Sequence, residues 1–115
     1  MKTIGMIGIG MMGHGIASNL LKHGQNLTVL EHLGNQPLDA LLAEADIVSL
    51  HCPPAPNGKA LFDAEAFNQI RPGLILVNTA RPGLVDQQSL IAALDDGRVG
   101  CYCTDVFETE PPAYP

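Results

Sequence analysis

The sequence predicts an α/β fold, a three-layer doubly wound parallel sheet, and three observations carry that expectation. First, an apolar run (Ile4, Met6, Ile7, Ile9) leads straight into Gly8-Ile-Gly10-Met-Met-Gly13, and a helical pattern begins at once. Second, apolar strand-like segments and amphipathic helical segments alternate from there to Phe107. Third, Leu74-Ile-Leu-Val-Asn78 is apolar at both alternating sets of positions, as a central parallel strand covered on two faces must be. Strands alternating with helices imply crossovers and a parallel sheet.

The opening segment is the first half of a nucleotide-binding βαβ unit, Rossmann-like in type. Gly8 permits the tight turn, Gly10 lets backbone approach a pyrophosphate, and Gly13 lets helix and strand pack closely. The diphosphate is then expected on the free N–H groups of residues such as Met11 and Met12, where the helix dipole favours anions. Met12, Ile16, Leu20 and Leu21 follow at helical spacing, and Lys22, His23 and Gly24 read as the helix end. The next strand, Leu27 to Leu30, ends in Glu31, eighteen positions after Gly13. That spacing suits the acid that holds an adenosine ribose. A carboxylate there accepts hydrogen bonds from both ribose hydroxyls and repels a 2′-phosphate, so NAD is expected over NADP. His32 blurs that choice, since an imidazolium tolerates a phosphate.

The remaining elements follow in order. His32 to Pro37 is a turn-rich joint. Leu38, Leu41, Leu42 and Ala45 form a short amphipathic helix, with Pro37 suited to its first turn. Asp46 to His51 is a strand, and Cys52 to Gly58 a stiff loop at its carboxyl end. Leu61 to Ile70 reads as a helix closed by Arg71-Pro-Gly73. After the strand ending at Asn78, Asp86 opens a helix that Asp95-Asp-Gly97 closes. Val99 to Phe107 is the last strand, and Glu108 to Pro115 a proline-rich tail.

A chain of 115 residues allows a single domain with one core. The net charge of −6 argues against nucleic acid or an anionic membrane as partner. No hydrophobic run approaches membrane-spanning length, and the start, Met-Lys-Thr-Ile4, leaves no room for a signal peptide. Three cysteines, an odd number, read as reduced thiols of the cytosol. Cys101 and Cys103, two apart in a strand, share a face; without a second pair they are a poor zinc pattern, and buried small thiols are expected.

From about Leu38 onward the chain resembles the cofactor domain of the D-isomer-specific 2-hydroxyacid dehydrogenases. The resemblance rests on Leu38-Asp-Ala-Leu-Leu-Ala-Glu-Ala-Asp-Ile-Val-Ser-Leu-His-Cys-Pro53, on Leu76-Val-Asn-Thr-Ala-Arg81 with Gly83-Leu-Val-Asp86, and on Asp105-Val-Phe-Glu-Thr-Glu-Pro111. The first thirty-odd residues, Gly8 to Gly24 with Leu27-Thr-Val29, are more similar to the opening of the 3-hydroxyisobutyrate dehydrogenases. Two families meeting near Gly34 suggest an engineered chimera or truncation, with a natural divergent member as the alternative. In the 2-hydroxyacid family a helix and a short strand stand between the second strand and the Leu-Asp-x-Leu-Leu helix. Here only Leu33 to Pro37 fill that gap. A sheet of order 3-2-1-4-5-6 that loses its third strand becomes 2-1-3-4-5, the flavodoxin-like order. Right-handed crossovers then put the first helix on one face and the next three on the other.

The same resemblance implies site residues. Arg81 corresponds to the arginine that binds the substrate carboxylate and polarises its carbonyl, although Pro82 stands where the family has glycine and restricts Arg81 to extended backbone. Cys52, Pro53, Thr79 and Ala80 correspond to residues lining the cofactor, and Asp105 to the carboxylate that holds the nicotinamide carboxamide. Glu110 corresponds to the partner of a catalytic histidine that lies further along in the family, so Glu110 reads as vestigial and a substrate domain as missing. The expectation is an NAD-binding domain with little turnover. A folding scaffold without ligand binding, or a dehydrogenase fragment active only with a missing domain, are the alternatives. Counting helices per face leaves the last two strands open on one side, where alternate apolar side chains should meet water, so a homodimer or a folded-back tail is expected.

Overall fold

A computed structural model describes residues 2–8, 10–30, 38–54 and 57–107. Five parallel strands form one sheet: β1 (Thr3–Ile7), β2 (Asn26–Leu30), β3 (Ile47–Leu50), β4 (Leu74–Asn78) and β5 (Val99–Thr104). Their order is β2-β1-β3-β4-β5, as the shortened joint requires. Among the described residues four α-helices connect them: α1 (Gly10–Lys22), α2 (Leu38–Glu44), α3 (Ala64–Phe67) and α4 (Gln87–Asp95).

The ladder registers show which side chains share a face. Gly5 pairs with Val48, Val48 with Leu76, and Leu76 with Tyr102. That row meets α2, α3 and α4. Val48, Leu50, Leu74 and Leu76 are buried there among Leu41, Leu42, Phe62, Phe67, Leu90 and Ala93 in one cluster. Gly5 is small because α2 lies on it: a Cβ would come within 2.8 Å of the Leu41 side chain. The other row runs Met6, Ser49, Val77, Cys103. Here Met6 and Ala17 are buried apart from the main cluster, and α1 packs against β2. One helix thus lies on one face and three on the other, as right-handed crossovers dictate.

Three elements depart from the sequence expectation. The helix expected over Leu61 to Ile70 shrinks to α3, because Phe62 spends its backbone on a parallel bridge to Val85: its N–H donates to the Leu84 carbonyl and its carbonyl accepts from Asp86. Asp63 then caps α3 by accepting from the Ala66 N–H at 2.9 Å. The Phe62 and Phe67 rings, centroids 5.4 Å apart, anchor this corner in the core.

The last strand stops at Thr104 rather than Phe107. The Thr104 hydroxyl donates to the Asn78 carbonyl at 2.7 Å and accepts from the Val106 N–H at 3.2 Å, which turns the chain out of the ladder.

The thiols are the third departure. Cys101 and Cys103 are exposed, not buried. The ladder slips by one residue between Leu74 and Ile75, so Leu74 pairs with Val99 but Ile75 with Cys101. Gly100 is the extra residue, and a Cβ on it would meet the Gly73 carbonyl at 2.9 Å. One inserted residue reverses every later side chain. Val99 points into the core; Cys101 and Cys103 turn to the face where, among the described residues, α1 is the one helix, beside half-buried Ile75 and Val77.

Candidate functional site

Open parallel sheets bind ligands beyond the carboxyl ends of their strands, where the winding reverses. Here β2 lies on one side of β1 and β3 on the other, so the reversal falls between β1 and β3. Gly8 stands at that point with φ +83°. A Cβ on it would lie 2.6 Å from the His51 carbonyl oxygen and 2.8 Å from Cys52 Cβ. Glycine is therefore required twice, by the left-handed turn and by the close passage of the β3 exit. α1 starts at Gly10 and carries no acid in its first turn. The first four N–H groups of a helix have no acceptor within it, so this end presents donors and a positive dipole end to the reversal point. Gly8 and the first residues of α1, Gly10 to Gly13, stand at this point of the fold.

The β3 exit forms the other wall. The His51 N–H donates to the Ile7 carbonyl at 2.7 Å, and its Nε2 lies 2.7 Å from Ser49 Oγ. Half-burial holds the His51 pKa below its usual 6.5 through loss of hydration, so the ring is neutral at pH 7. Burial likewise pushes the Cys52 thiol up, partly offset by a hydrogen bond from its own N–H. Cys52 packs against the core, and Pro53 is exposed.

The β4 exit is built around Asn78, a fully buried polar side chain. Its Nδ2 donates to the Arg81 carbonyl at 2.9 Å and to Tyr102 Oη at 3.2 Å, and its Oδ1 accepts from the Ala80 N–H at 3.1 Å. One amide thus folds residues 79–81 into a fixed loop and ties them to β5. Arg81 is extended, φ −145° and ψ 142°, as Pro82 demands, and precedes a 3-10 turn over Pro82–Leu84. Its guanidinium is exposed and donates to the Ala80 carbonyl at 2.7 Å. Among the described residues no carboxylate pairs with it. Thr79 and Asp105 are exposed at the same edge, and Asp105 too has no ion-pair partner among the described residues.

The structure thus gathers Gly8, the start of α1, Cys52, Pro53, Thr79, Ala80, Arg81 and Asp105 along one sheet edge, a row about 19 Å long for five strands. Glu31 and Glu110 lie outside the described residues. Sequence reasoning missed Asn78 and Tyr102; the one signal was a polar residue closing an otherwise apolar strand. It also missed a cleft of about 500 Å³ between α2, the loop after β3 and α3. Leu38, Pro53, Leu61 and Leu84 form its apolar wall, and neither Arg81 nor Asp105 lines it. No helix among the described residues is long and apolar enough to cross a membrane.

The family model for the D-isomer specific 2-hydroxyacid dehydrogenase NAD binding domain matches residues 1–115, the first thirty residues and the joint included. The chain is 38% identical over 121 residues to D-3-phosphoglycerate dehydrogenase of Mycobacterium tuberculosis H37Rv, covering 96% of this chain and 23% of that protein. It is 36% identical to a 2-hydroxyacid dehydrogenase homolog of Haemophilus influenzae, covering 95% of this chain and 36% of that one. Among solved structures, a D-isomer specific 2-hydroxyacid dehydrogenase from Xanthobacter autotrophicus Py2, in complex with NADPH and MES, superposes with TM-score 0.88 at 31% identity, covering 97% of this chain and 39% of that one. The NAD-complexed enzyme from Lactobacillus delbrueckii ssp. bulgaricus gives 0.86 at 30% identity, covering 96% and 36%. The chain spans about a quarter to two fifths of the length of these relatives. The comparisons lend no support to a second parent family or to a chimera.

Proposed function

This chain belongs to the D-isomer specific 2-hydroxyacid dehydrogenase family, as its NAD binding domain, and from that premise we propose that it holds NAD rather than NADP along its carboxyl edge. The observation that carries the reading is the Gly8 turn, which delivers the start of α1 to the point where the sheet's winding reverses. In this reading the pyrophosphate lies on Gly8, Gly10, Met11, Met12 and Gly13, the adenosine ribose on Glu31, and the nicotinamide half near Cys52, Pro53, Thr79, Ala80, Arg81 and Asp105. The cofactor supplies hydride exchange; the chain's own residues bind and orient it. Arg81, extended and without a carboxylate partner among the described residues, is the group suited to a substrate carboxylate.

The family takes both cofactors, since one relative is complexed with NADPH and another with NAD. The choice of NAD rests on Glu31. Calorimetric titration of the purified chain tests it: NADH should bind more tightly than NADPH, and Glu31→Ala should narrow the gap by roughly 1.5–3 kcal/mol, a charge-assisted hydrogen bond's worth. Equal affinities in the parent chain would sink the role given to Glu31, and no binding of either would favour the scaffold reading.

These 115 residues alone should turn over small 2-oxo acids near background, with Glu110 idle, because the chain spans at most about two fifths of its relatives. A dehydrogenase that works only with a further domain is the second reading, and that same share of length favours it. The sheet face that carries half-buried Ile75 and Val77 supports pairing between two copies or a tail folded back across it, which light scattering at micromolar concentration checks; a stable monomer with a mobile tail and no apolar-dye binding would count against both. The free state of all three thiols fits a cytosolic setting.

A further inference from the structure

Cys101 and Cys103 take no part in the edge described above. Their Sγ atoms lie 3.6 Å apart, both side chains are exposed, and they stand on the sheet face opposite the α2–α4 core. The Gly100 bulge is what places them there; with a regular ladder both would follow Val99 into the core.

We propose that Cys101 and Cys103 form a two-thiolate chelate for one soft, thiophilic d10 cation of the zinc–cadmium class. Soft thiolates select such ions over the hard ions Mg²⁺ and Ca²⁺. An ion about 2.3 Å from each sulfur subtends an S–ion–S angle of roughly 100° across the observed gap, close to tetrahedral. The backbone need not move. A disulfide is less suited, since alternate strand residues stand about 6.6 Å apart at Cα, the far end of the range a disulfide spans. Among the described residues no third His, Cys, Asp or Glu joins the pair, so two positions on the ion stay open to water or small anions. Without an ion, the Cys103 pKa is raised, chiefly by its hydrogen bond with Cys101. A divalent ion entering the site forms two metal–sulfur bonds and displaces the two thiol protons.

Cadmium is the probe. The reduced, metal-free chain is titrated with Cd²⁺ while the ultraviolet thiolate-to-metal charge-transfer band is followed, then alkylated and mapped by mass spectrometry. The expected result is one ion per chain, with Cys101 and Cys103 protected from alkylation and Cys52 unchanged. Zn²⁺ should displace the band and Mg²⁺ should not. Cys101→Ser and Cys103→Ser should each weaken binding tenfold or more. Both replacements are at exposed positions, and an unchanged far-ultraviolet dichroism spectrum verifies the fold. Absence of the band, full affinity in either single variant, or protection falling on Cys52 would overturn the assignment. None of these readouts depends on dinucleotide binding.

Discussion

The two edges of the sheet are built to opposite rules. At the amino edge, two ion pairs form among the described residues. Asp46 accepts from the Thr3 N–H at 2.8 Å and meets Arg71 at 3.2 Å, while Arg98 lies against Asp96 at 2.9 Å and donates to Asn68 Oδ1 at 2.9 Å. These contacts pin the starts of β1, β3, β4 and β5. At the carboxyl edge, Arg81 and Asp105 have no ion partner among the described residues, the start of α1 presents free donors, and order comes from buried neutral groups. Asn78 fixes residues 79–81, and the His51 carbonyl closes on Gly8. The amino edge pairs Asp46 with Arg71 and Asp96 with Arg98; the carboxyl edge rigidifies the backbone beneath charges that have no ion partner among the described residues. Preorganised, unsatisfied groups are what a binding edge needs.

The largest break should come at Gly8. Gly8→Ala forces a Cβ to within 2.6 Å of the His51 carbonyl and strains φ +83°. Each effect typically costs about 1–3 kcal/mol, so a loss of roughly 2–5 kcal/mol is expected in urea denaturation, together with lost dinucleotide binding. Gly15→Ala is the control. Nothing lies within 4 Å of the added Cβ, and alanine in an exposed helix position should stabilise by up to about 1 kcal/mol. A Gly8→Ala chain as stable as the parent would refute the close passage at the winding reversal.

Next comes Asn78. Asn78→Ala leaves the Arg81 carbonyl, the Ala80 N–H and the Tyr102 hydroxyl without their partner, and a loss of roughly 2–4 kcal/mol is expected. Tyr102→Phe removes one of those bonds and should cost about 1 kcal/mol. A double-mutant cycle should show a coupling of about 1 kcal/mol. Additive losses would mean that β5 does not brace the Arg81 loop.

How much of this was legible depends on which force decides each feature. Periodicity and glycine spacing reveal strands, helices and the Gly8 turn, because burial on one or two faces leaves a pattern in the residues themselves. The strand order followed from resemblance and a missing strand, and it holds. The Gly100 bulge was not legible. It is a relation between two strands far apart in sequence, yet it decides whether Cys101 and Cys103 are core or surface. The same blindness hid the Phe62–Val85 bridge, which shortens α3, and the Asn78–Tyr102 bond, since each partner's role exists only once the other is in place. Arg81 and Asp105 came from the resemblance to the dehydrogenases rather than from pattern, and the structure places both, exposed, at the carboxyl edge.

The smallest expected effect separates the edges by pH. His51, at the carboxyl edge, has its pKa lowered by loss of hydration from 6.5, so between its folded value and 6.5 the unfolded chain binds more protons. Stability tied to the neutral ring is complete above 6.5 and is lost as pH falls below it. Asp46, at the amino edge, has its pKa lowered from 3.8, first by the Thr3 N–H and then by Arg71, against some desolvation. Its contribution is complete above about pH 4 and is lost only as pH falls toward the folded value. Asp86 and Asp96, lowered by their bonds to Ser89 and Arg98, add to that same lower step. Acidification should therefore loosen the carboxyl edge first and the amino edge well after it. Urea midpoints measured from pH 8 to pH 3 should fall in two stages. His51→Gln, which removes the titrating ring, should flatten the upper stage and leave the lower one. Asp46→Asn should shrink the lower stage alone. A single fall below pH 4 in the parent chain would show that the half-buried His51 ring gives up its proton no more easily than a solvated one.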